Sequence, residues 1–313
     1  MNNLIIKMRC SQALHKRAQK VQKYLKNSHV KGPKTCFKGV YLIELLCIVI
    51  CRNRVCFQGD KTMKTSVVIF AGGSGARMGA GTPKQFLEVG GKPVIIHTIE
   101  CFEYHPAIDE IYVVCKEEYI QRLESMLSRY YIGKVVDIVP GGKTALDSIY
   151  IGLQTVAAHN EDGIVLIHDG VRPCVSTSLI DAVIDGVKKN GNAITCTSMY
   201  ETPIYSSNGD VVENSPNRSH CYTAQAPQGF MLRDILAAYQ AVSTEKDGFD
   251  KYPDSCTLMS SRGVDVHIIK GDRGNIKVTT PEDLYIFRGM LRYREAQEAL
   301  GLTQQETIKG LKK

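Results

Sequence analysis

From Thr65 onward the chain alternates between two kinds of apolar pattern. TSVVIFA (65–71), EIYVVC (110–115), KVVDIV (134–139), GIVLIHD (163–169) and NAITCTS (192–198) are short, nearly unbroken apolar runs rich in Val and Ile. Between them, apolar residues recur at helical spacing and predict helices over 93–104, 117–130, about 146–158 and 178–189. Strands apolar on every residue, separated by helices, predict an α/β fold: a mostly parallel sheet with helices on both faces. Residues 197–224 break the rhythm. They are polar and carry the turn signals SSNGD (206–210) and SPNR (215–218), which predict a protruding β-arm. The alternation resumes with a helix over 232–242, a strand over 264–271 and a last helix from Pro281. There is no internal repeat and no low-complexity tract.

Charge sharpens the domain reading. Of 39 Lys+Arg and 32 Asp+Glu in 313 residues, residues 1–62 hold 13 basic against two acidic, a net +11. The remaining 251 residues hold 26 basic against 30 acidic, a net −4. The basic balance therefore belongs to the first segment, and a nucleic-acid partner for the whole protein loses its support. We expect three parts: 1–62, a basic N-terminal extension or the product of a misplaced start with Met63 as true initiator; 63–302, the folded domain with its arm at 197–224; and 303–313, a tail. A sharper reading of the extension is a basic arm for membrane or nucleic acid, but a solvated helix face looks the same.

Eleven cysteines with no regular spacing argue against a disulfide framework and for a reducing, cytoplasmic compartment. Cys47, Cys51 and Cys56 lack the CxxC pair or nearby His of a zinc set. The most apolar run, Val40 to Cys51, is about half the ~20 residues a membrane span requires and contains Glu44. We expect no membrane span.

The candidate chemistry begins with AGGSGARMGAGTPKQF (71–86). Gly72, Gly73, Gly75 and Gly79 allow backbone N–H groups to converge on an anion, and Arg77 and Lys84 add positive charge. The loop follows the first strand, where open α/β sheets bind ligands. It has neither the GK[ST] ending of a Walker loop nor the spacing of the dinucleotide fingerprint. Asp169, in HDGVRP (168–173), falls at the carboxyl end of its strand. A lone carboxylate beside triphosphate oxygens suits Mg²⁺ or another divalent cation; the alternative is a structural salt bridge to Arg172. His168 is expected to pack at the strand end. Glu282 and Asp283 look like a carboxylate pair, but Thr280, Pro281 and Asp283 spell a helix start.

Five ordered motifs, AGGSGARMGAGTPKQF, PGGKTALDS (140–148), HDGVRP, APQGF (226–230) and GNIKVTTPEDL (274–284), resemble the CTP-dependent cytidylyltransferases that activate small polyol phosphates. The resemblance runs from about Lys64 to Leu302 and implies the Rossmann-like fold of the nucleotide-diphospho-sugar transferases. It implies CTP as co-substrate, held by Ala71, Gly72, Gly73, Gly75 and Gly79 and by a turn under the cytosine at Gly141, Gly142 and Ser148. From the residues alone, a helix capped by Thr144 explains that turn equally well. The family usually has Arg in this loop, where Lys143 and Thr144 stand here.

The resemblance further assigns Arg77, Lys84 and Lys277 to catalysis, Asp169 to the metal, and Arg172, Thr202 and Arg218 to the polyol phosphate. It implies a homodimer in which the arm is exchanged. Pro216-Asn217-Arg218 and DSCTLM (254–259) resemble the branch acting on D-ribitol 5-phosphate, giving CDP-ribitol for teichoic acid or capsule, more than the branch acting on 2-C-methyl-D-erythritol 4-phosphate in isoprenoid synthesis. Two other classes share the fold. A nicotinamide dehydrogenase needs an acidic ribose-binding residue where Cys115-Lys116 stands. An idle binding protein could lose the charged residues that are all present here.

Overall fold

The computed structural model describes residues 63–73, 82–160 and 162–299. In chain order the elements are β1 (Thr65–Phe70), β2 (Glu88–Val89), β3 (Lys92–Pro93), α1 (Val94–Glu103), β4 (Glu110–Cys115), α2 (Ile120–Arg129) and β5 (Val135–Pro140). There follow α3 (Ala145–His159), β6 (Ile164–Asp169), α4 (Thr177–Asn190), β7 (Asn192–Ser198), β8 (Tyr222–Met231), α5 (Leu232–Ser243), α6 (Ser255–Ser261), β9 (Ile268–Lys270) and α7 (Pro281–Ala299).

Seven strands form one sheet in the order β5-β4-β1-β6-β8-β7-β9, and β2 and β3 make a separate antiparallel pair. All neighbours in the large sheet are parallel except β8, which runs against both β6 and β7. The unbroken apolar strands are explained by two cores of alternate residues. Val67 and Ile69 of β1, Ile111 and Val113 of β4, and Leu166 of β6 pack with α1, α2 and α4 on one face. Val68, Tyr112, Val114, Val165 and Ile167 pack with α3, α5 and α6 on the other. At ~1.5–3 kcal/mol per buried aliphatic side chain, covering both faces is what commits these runs to interior strands. Helix α3 approaches β1 closely at Gly152, where a Cβ would stand 2.5 Å from Val68 Cγ1.

Several expectations need correction. The strand expected over 264–271 is only Ile268–Lys270. Residues 226–230 are part of a central strand, and α6 is an additional helix. The arm is an exposed excursion between β7 and β8, closed by a single Tyr205–Asn214 bridge and a turn at Gly209 (φ 77°), not a pair of regular strands. The extension, the tail, Gly75, Arg77 and Gly79 lie outside the described residues.

Candidate active site

The chain runs outward from β1 to β4 and β5, then returns to β6 on the other side of β1. The carboxyl ends of β1 and β6 therefore meet at a topological switch point, where such sheets open a crevice. Phe70 is level with Asp169 across this pair, and the Gly170 N–H donates to the Phe70 carbonyl at 2.9 Å.

On the β1 side, the buried Gln85 holds the start of the glycine-rich loop. Its Nε2 donates to the Ala71 carbonyl at 2.8 Å and reaches the Gly73 carbonyl at 3.4 Å. Lys84 opens the short 3-10 turn that presents Gln85. Phe86, in the same turn, is buried with the Arg122 guanidinium 4.7 Å over its ring.

Beyond β5, Gly141 and Gly142 turn against the first turn of α3. The Ser148 hydroxyl accepts from the Gly142 N–H at 3.1 Å and donates to the Thr144 carbonyl at 3.0 Å, leaving one lone pair. Thr144 and Asp147 form a reciprocal capping box, with Thr144 N–H to Asp147 Oδ2 at 2.8 Å and Asp147 N–H to Thr144 Oγ1 at 3.1 Å. The helix-cap reading is thus present, and it is what shapes the glycine turn. Gly142 has no room for a side chain, since a Cβ would lie 2.3 Å from Asp147 Cβ.

At the end of β6 the charged groups converge. Asp169 is 5% exposed; its Oδ2 accepts from Arg172 Nε at 3.2 Å and its Oδ1 from Lys277 Nζ at 2.5 Å. Burial alone would raise this carboxyl, but the Lys277 ammonium and Arg172 guanidinium outweigh it and hold the group below its ordinary value. The salt bridge to Arg172 is therefore real and is one half of a three-residue cluster. Arg172 Nη1 also donates to the Asn275 carbonyl at 2.6 Å.

His168 is fully buried edge-on to Phe102, as expected, and burial pulls its pKa down to about 4. The neutral ring is assigned its proton on Nε2, which faces the Arg172 carbonyl at 3.0 Å. Asp283 behaves as the helix start predicted: its carboxylate accepts from the Thr279 and Thr280 N–H groups at 2.7 and 2.8 Å.

The cluster opens into a cleft of about 150 Å³ whose far wall is Gln225, Gln228 and Asp254. A larger groove of about 490 Å³ lies outside the first turn of α3, against residues 243–250; Lys143, Thr144 and Asp147 of the PGGKTALDS motif line it, but Gly141, Gly142 and Ser148 do not. The arm residues stand apart. Arg218 is exposed and donates to the Tyr200 carbonyl at 2.8 Å, and neither it nor Thr202 contacts the Asp169 cluster. Among the described residues no three His, Cys, Asp or Glu side chains gather as a metal-binding set.

Sequence reasoning assigns no role to Gln85 or Asn275, although both lie inside the motifs. The available signal was an amide side chain next to apolar positions, Gln85-Phe86 and Asn275-Ile276, in otherwise polar loops.

Comparison with known proteins agrees with this geometry. The family model described as IspD, 2-C-methyl-D-erythritol 4-phosphate cytidylyltransferase, matches residues 65–293. A ribitol-5-phosphate cytidylyltransferase of Vibrio parahaemolyticus is 42% identical over 236 residues, covering 75% of this chain and 98% of that protein. A 2-C-methyl-D-erythritol 4-phosphate cytidylyltransferase of Geobacillus kaustophilus is 37% identical over 235 residues, covering 75% and 100%. Among solved structures, 4-diphosphocytidyl-2C-methyl-D-erythritol synthase from Anaerococcus prevotii superposes with a TM-score of 0.65 at 30% identity, covering 74% of this chain and 96% of that one. With a charged cluster and the start of the glycine-rich loop, Ala71 to Gly73, at one switch point, and a family match over residues 65–293, the chain belongs to the IspD family of cytidylyltransferases.

Proposed function

We propose that the protein transfers CMP from CTP to D-ribitol 5-phosphate, giving CDP-ribitol and pyrophosphate. The convergence of Asp169, Arg172 and Lys277 level with the end of β1, where the glycine-rich motif begins, supports the chemistry. The choice of polyol is supported by the higher identity to the Vibrio ribitol-5-phosphate enzyme, 42% against 37% for the Geobacillus enzyme. A second reading, 2-C-methyl-D-erythritol 4-phosphate as acceptor, is favoured by the description of the family model.

A phosphate monoester has a second pKa of about 6, so at neutral pH the acceptor is already a dianion and needs no general base. Its oxygen attacks the α-phosphorus in line; one P–O bond forms and the bond to the β-phosphate oxygen breaks, releasing pyrophosphate. The enzyme's task is to align two anions and neutralise charge on the phosphoryl group. Lys84 and Arg77 hold the triphosphate. Lys277, 43% exposed at its side chain and already over the cleft, meets the acceptor phosphate or the transferring group. Ala71, Gly72, Gly73, Gly75 and Gly79 present the phosphate-binding backbone, while Gly141, Gly142 and Ser148 receive the cytosine.

Asp169 fits a divalent cation as the single carboxylate of a site completed by water and phosphate oxygens, the usual arrangement for Mg²⁺ with nucleotides. Such an ion would supply Lewis-acid charge at the phosphates. Its approach requires Lys277 to leave Oδ1, and Lys277 is the more exposed partner of that pair.

Thr202 and Arg218 reach an acceptor in a second copy's cleft when arms are exchanged in a homodimer. Exposure of Ile204, Tyr205, Val211 and Val212 at 57–62% supports an arm that packs on another chain. The reaction belongs in the cytoplasm in this reading, in keeping with six free cysteines among the described residues. No described helix is long and apolar enough to cross a membrane.

The test is pyrophosphate release by the purified protein with CTP and each polyol phosphate supplied separately. Turnover with ribitol 5-phosphate at least tenfold above the other acceptor is expected, about 1.4 kcal/mol of discrimination from a few pocket contacts. The reverse ranking would assign the enzyme to the second reading, and no turnover with either would sink both.

A further inference from the structure

Lys277 stands in a loop, 271–278, that has no regular structure, yet its ammonium is held 2.5 Å from a buried carboxylate. Something must fix that loop. On its far side the Val278 N–H donates to the Val171 carbonyl at 2.8 Å. On its near side the fastening is Asn275. This residue is 1% exposed, and its Nδ2 donates to the Ala226 carbonyl of β8 at 2.6 Å and reaches Gln225 Oε1 at 3.4 Å. Its own carbonyl receives Arg172 Nη1 at 2.6 Å.

Ala226 sits where β8 bulges. Ile194 of β7 pairs with Gln228 and Cys196 with Ala224, so the one residue of β7 between them, Thr195, faces three of β8, Gln225 to Pro227. The bulge turns the Ala226 carbonyl out of the sheet ladder toward the loop, a common use of bulges beside active sites. Gln225 Nε2 adds a second tie, to the Asp272 carbonyl at 3.2 Å.

We propose that Asn275 is the positioning residue of this site: it ties the Lys277 loop to the β8 bulge and, through its carbonyl, fixes the Arg172 guanidinium, so that both cations meet Asp169 in one geometry. The proposal rests on the cytidylyl-transfer reading for its kinetic consequences but not for its structural ones. Asn275 Oδ1 has no hydrogen-bond partner although it is buried. The residue therefore acts through its donor and its main chain.

Two measurements test this. The first is kinetic, on the full chain with CTP and its polyol phosphate. Asn275→Ala should lower kcat by ~10–100-fold, because displacement of a reacting group by about 1 Å costs rate on that scale. KM for CTP should stay within about twofold, since the Gln85 and Ser148 loops are anchored independently. Lys277→Ala alone should be severely impaired, and adding Asn275→Ala to it should cost clearly less than Asn275→Ala costs in the unmodified chain, the remainder acting through Arg172, because residues acting as a unit are non-additive. Full additivity of the two losses would overturn the proposal.

The second measurement needs no turnover. In a ¹⁵N-lysine spectrum, the Lys277 ammonium, assigned by its disappearance in Lys277→Met, should be protected from water exchange by its contact with Asp169. Asn275→Ala should abolish that protection while the exposed Lys188 ammonium is unchanged. If the Lys277 signal persists with its original exchange rate, Asn275 does not position it, whatever the enzyme's substrate. Should Asn275→Ala fail to fold, Asn275→Ser carries the same expectations with a smaller void.

Discussion

Gly142→Ala isolates the glycine turn from every other part of the site. The added Cβ would stand 2.3 Å from Asp147 Cβ and 3.2 Å from the Asp147 carbonyl carbon, where ordinary contact begins at 3.4 Å. Asp147 Cβ is fixed to the first turn of α3, so no rotamer relieves the overlap; the turn must retreat by about 1 Å. That movement strains or breaks the Gly142 N–H to Ser148 bond and the Thr144–Asp147 capping box. Loss of a cap costs ~1 kcal/mol and overpacking ~1–3 kcal/mol, so we expect about 2 kcal/mol. For a domain of this size that is a fall of about 4–8 °C in melting temperature.

The same displacement moves the surface proposed to receive cytosine, so kcat/KM for CTP should fall by ~10–100-fold. Thermal melts and pyrophosphate release at varied CTP measure the two effects. Asp147→Gly supplies the control, because it removes the atom that is struck. In that background Gly142→Ala should cost less than about 0.5 kcal/mol, whereas distant sites would simply add. A Gly142→Ala chain with unchanged melting and unchanged CTP dependence, or a loss undiminished by Asp147→Gly, would refute the steric account.

Other outcomes follow from the geometry. Lys84→Ala should keep its fold and lose ~10²-fold or more in turnover, as when one stabiliser of developing charge is removed; near-normal turnover would exclude Lys84 from the mechanism. A chain starting at Met63 should fold and retain full activity, since every motif residue lies after it; insolubility on expression would show that the extension contributes to the core. Arg218→Lys should weaken polyol-phosphate binding, because Lys cannot reproduce the planar bidentate contact; an unchanged KM would leave Arg218 outside the site. Mixing inactive Arg218→Ala chains with inactive Lys84→Ala chains should restore activity after subunit exchange, because one cleft of each mixed dimer then lacks both defects. No recovery would mean that the arm serves its own chain.

The strands and helices were legible where burial dictates composition. Runs such as GIVLIH must be apolar on every residue because both faces of β6 are covered, and the turns between them carry ordinary capping residues. Strand β8 was hidden for the opposite reason. The apolar pattern assigns no element to residues 225–231, and a proline argues against a central strand. Here the bulge removes residues 225–227 from the β7 ladder, and the Thr195 hydroxyl donates to the Pro227 carbonyl at 2.7 Å. In the site, Asp169 was visible as a carboxylate at the carboxyl end of a strand, whereas Arg172 and Lys277 were picked out by the family resemblance of their motifs, since a charged residue in a short loop is ordinarily solvent-facing. Gln85 and Asn275 were not, because their partners are main-chain carbonyls, which leave no trace in residue type.

The position of the arm has a consequence for how such enzymes can diverge. Strands β7 and β8 are hydrogen-bonded neighbours, so the 23 residues between Ser198 and Tyr222 are topologically a hairpin loop. Loops of this kind absorb insertions and deletions at little entropic cost, ~0.6 kcal/mol per doubling of length, and leave the register of their strands untouched. Asp169 ends β6, Arg172 lies in the turn after it and Lys277 in the loop before α7, all outside that hairpin. Arm length and sequence can therefore drift while the Asp169–Arg172–Lys277 cluster keeps its geometry.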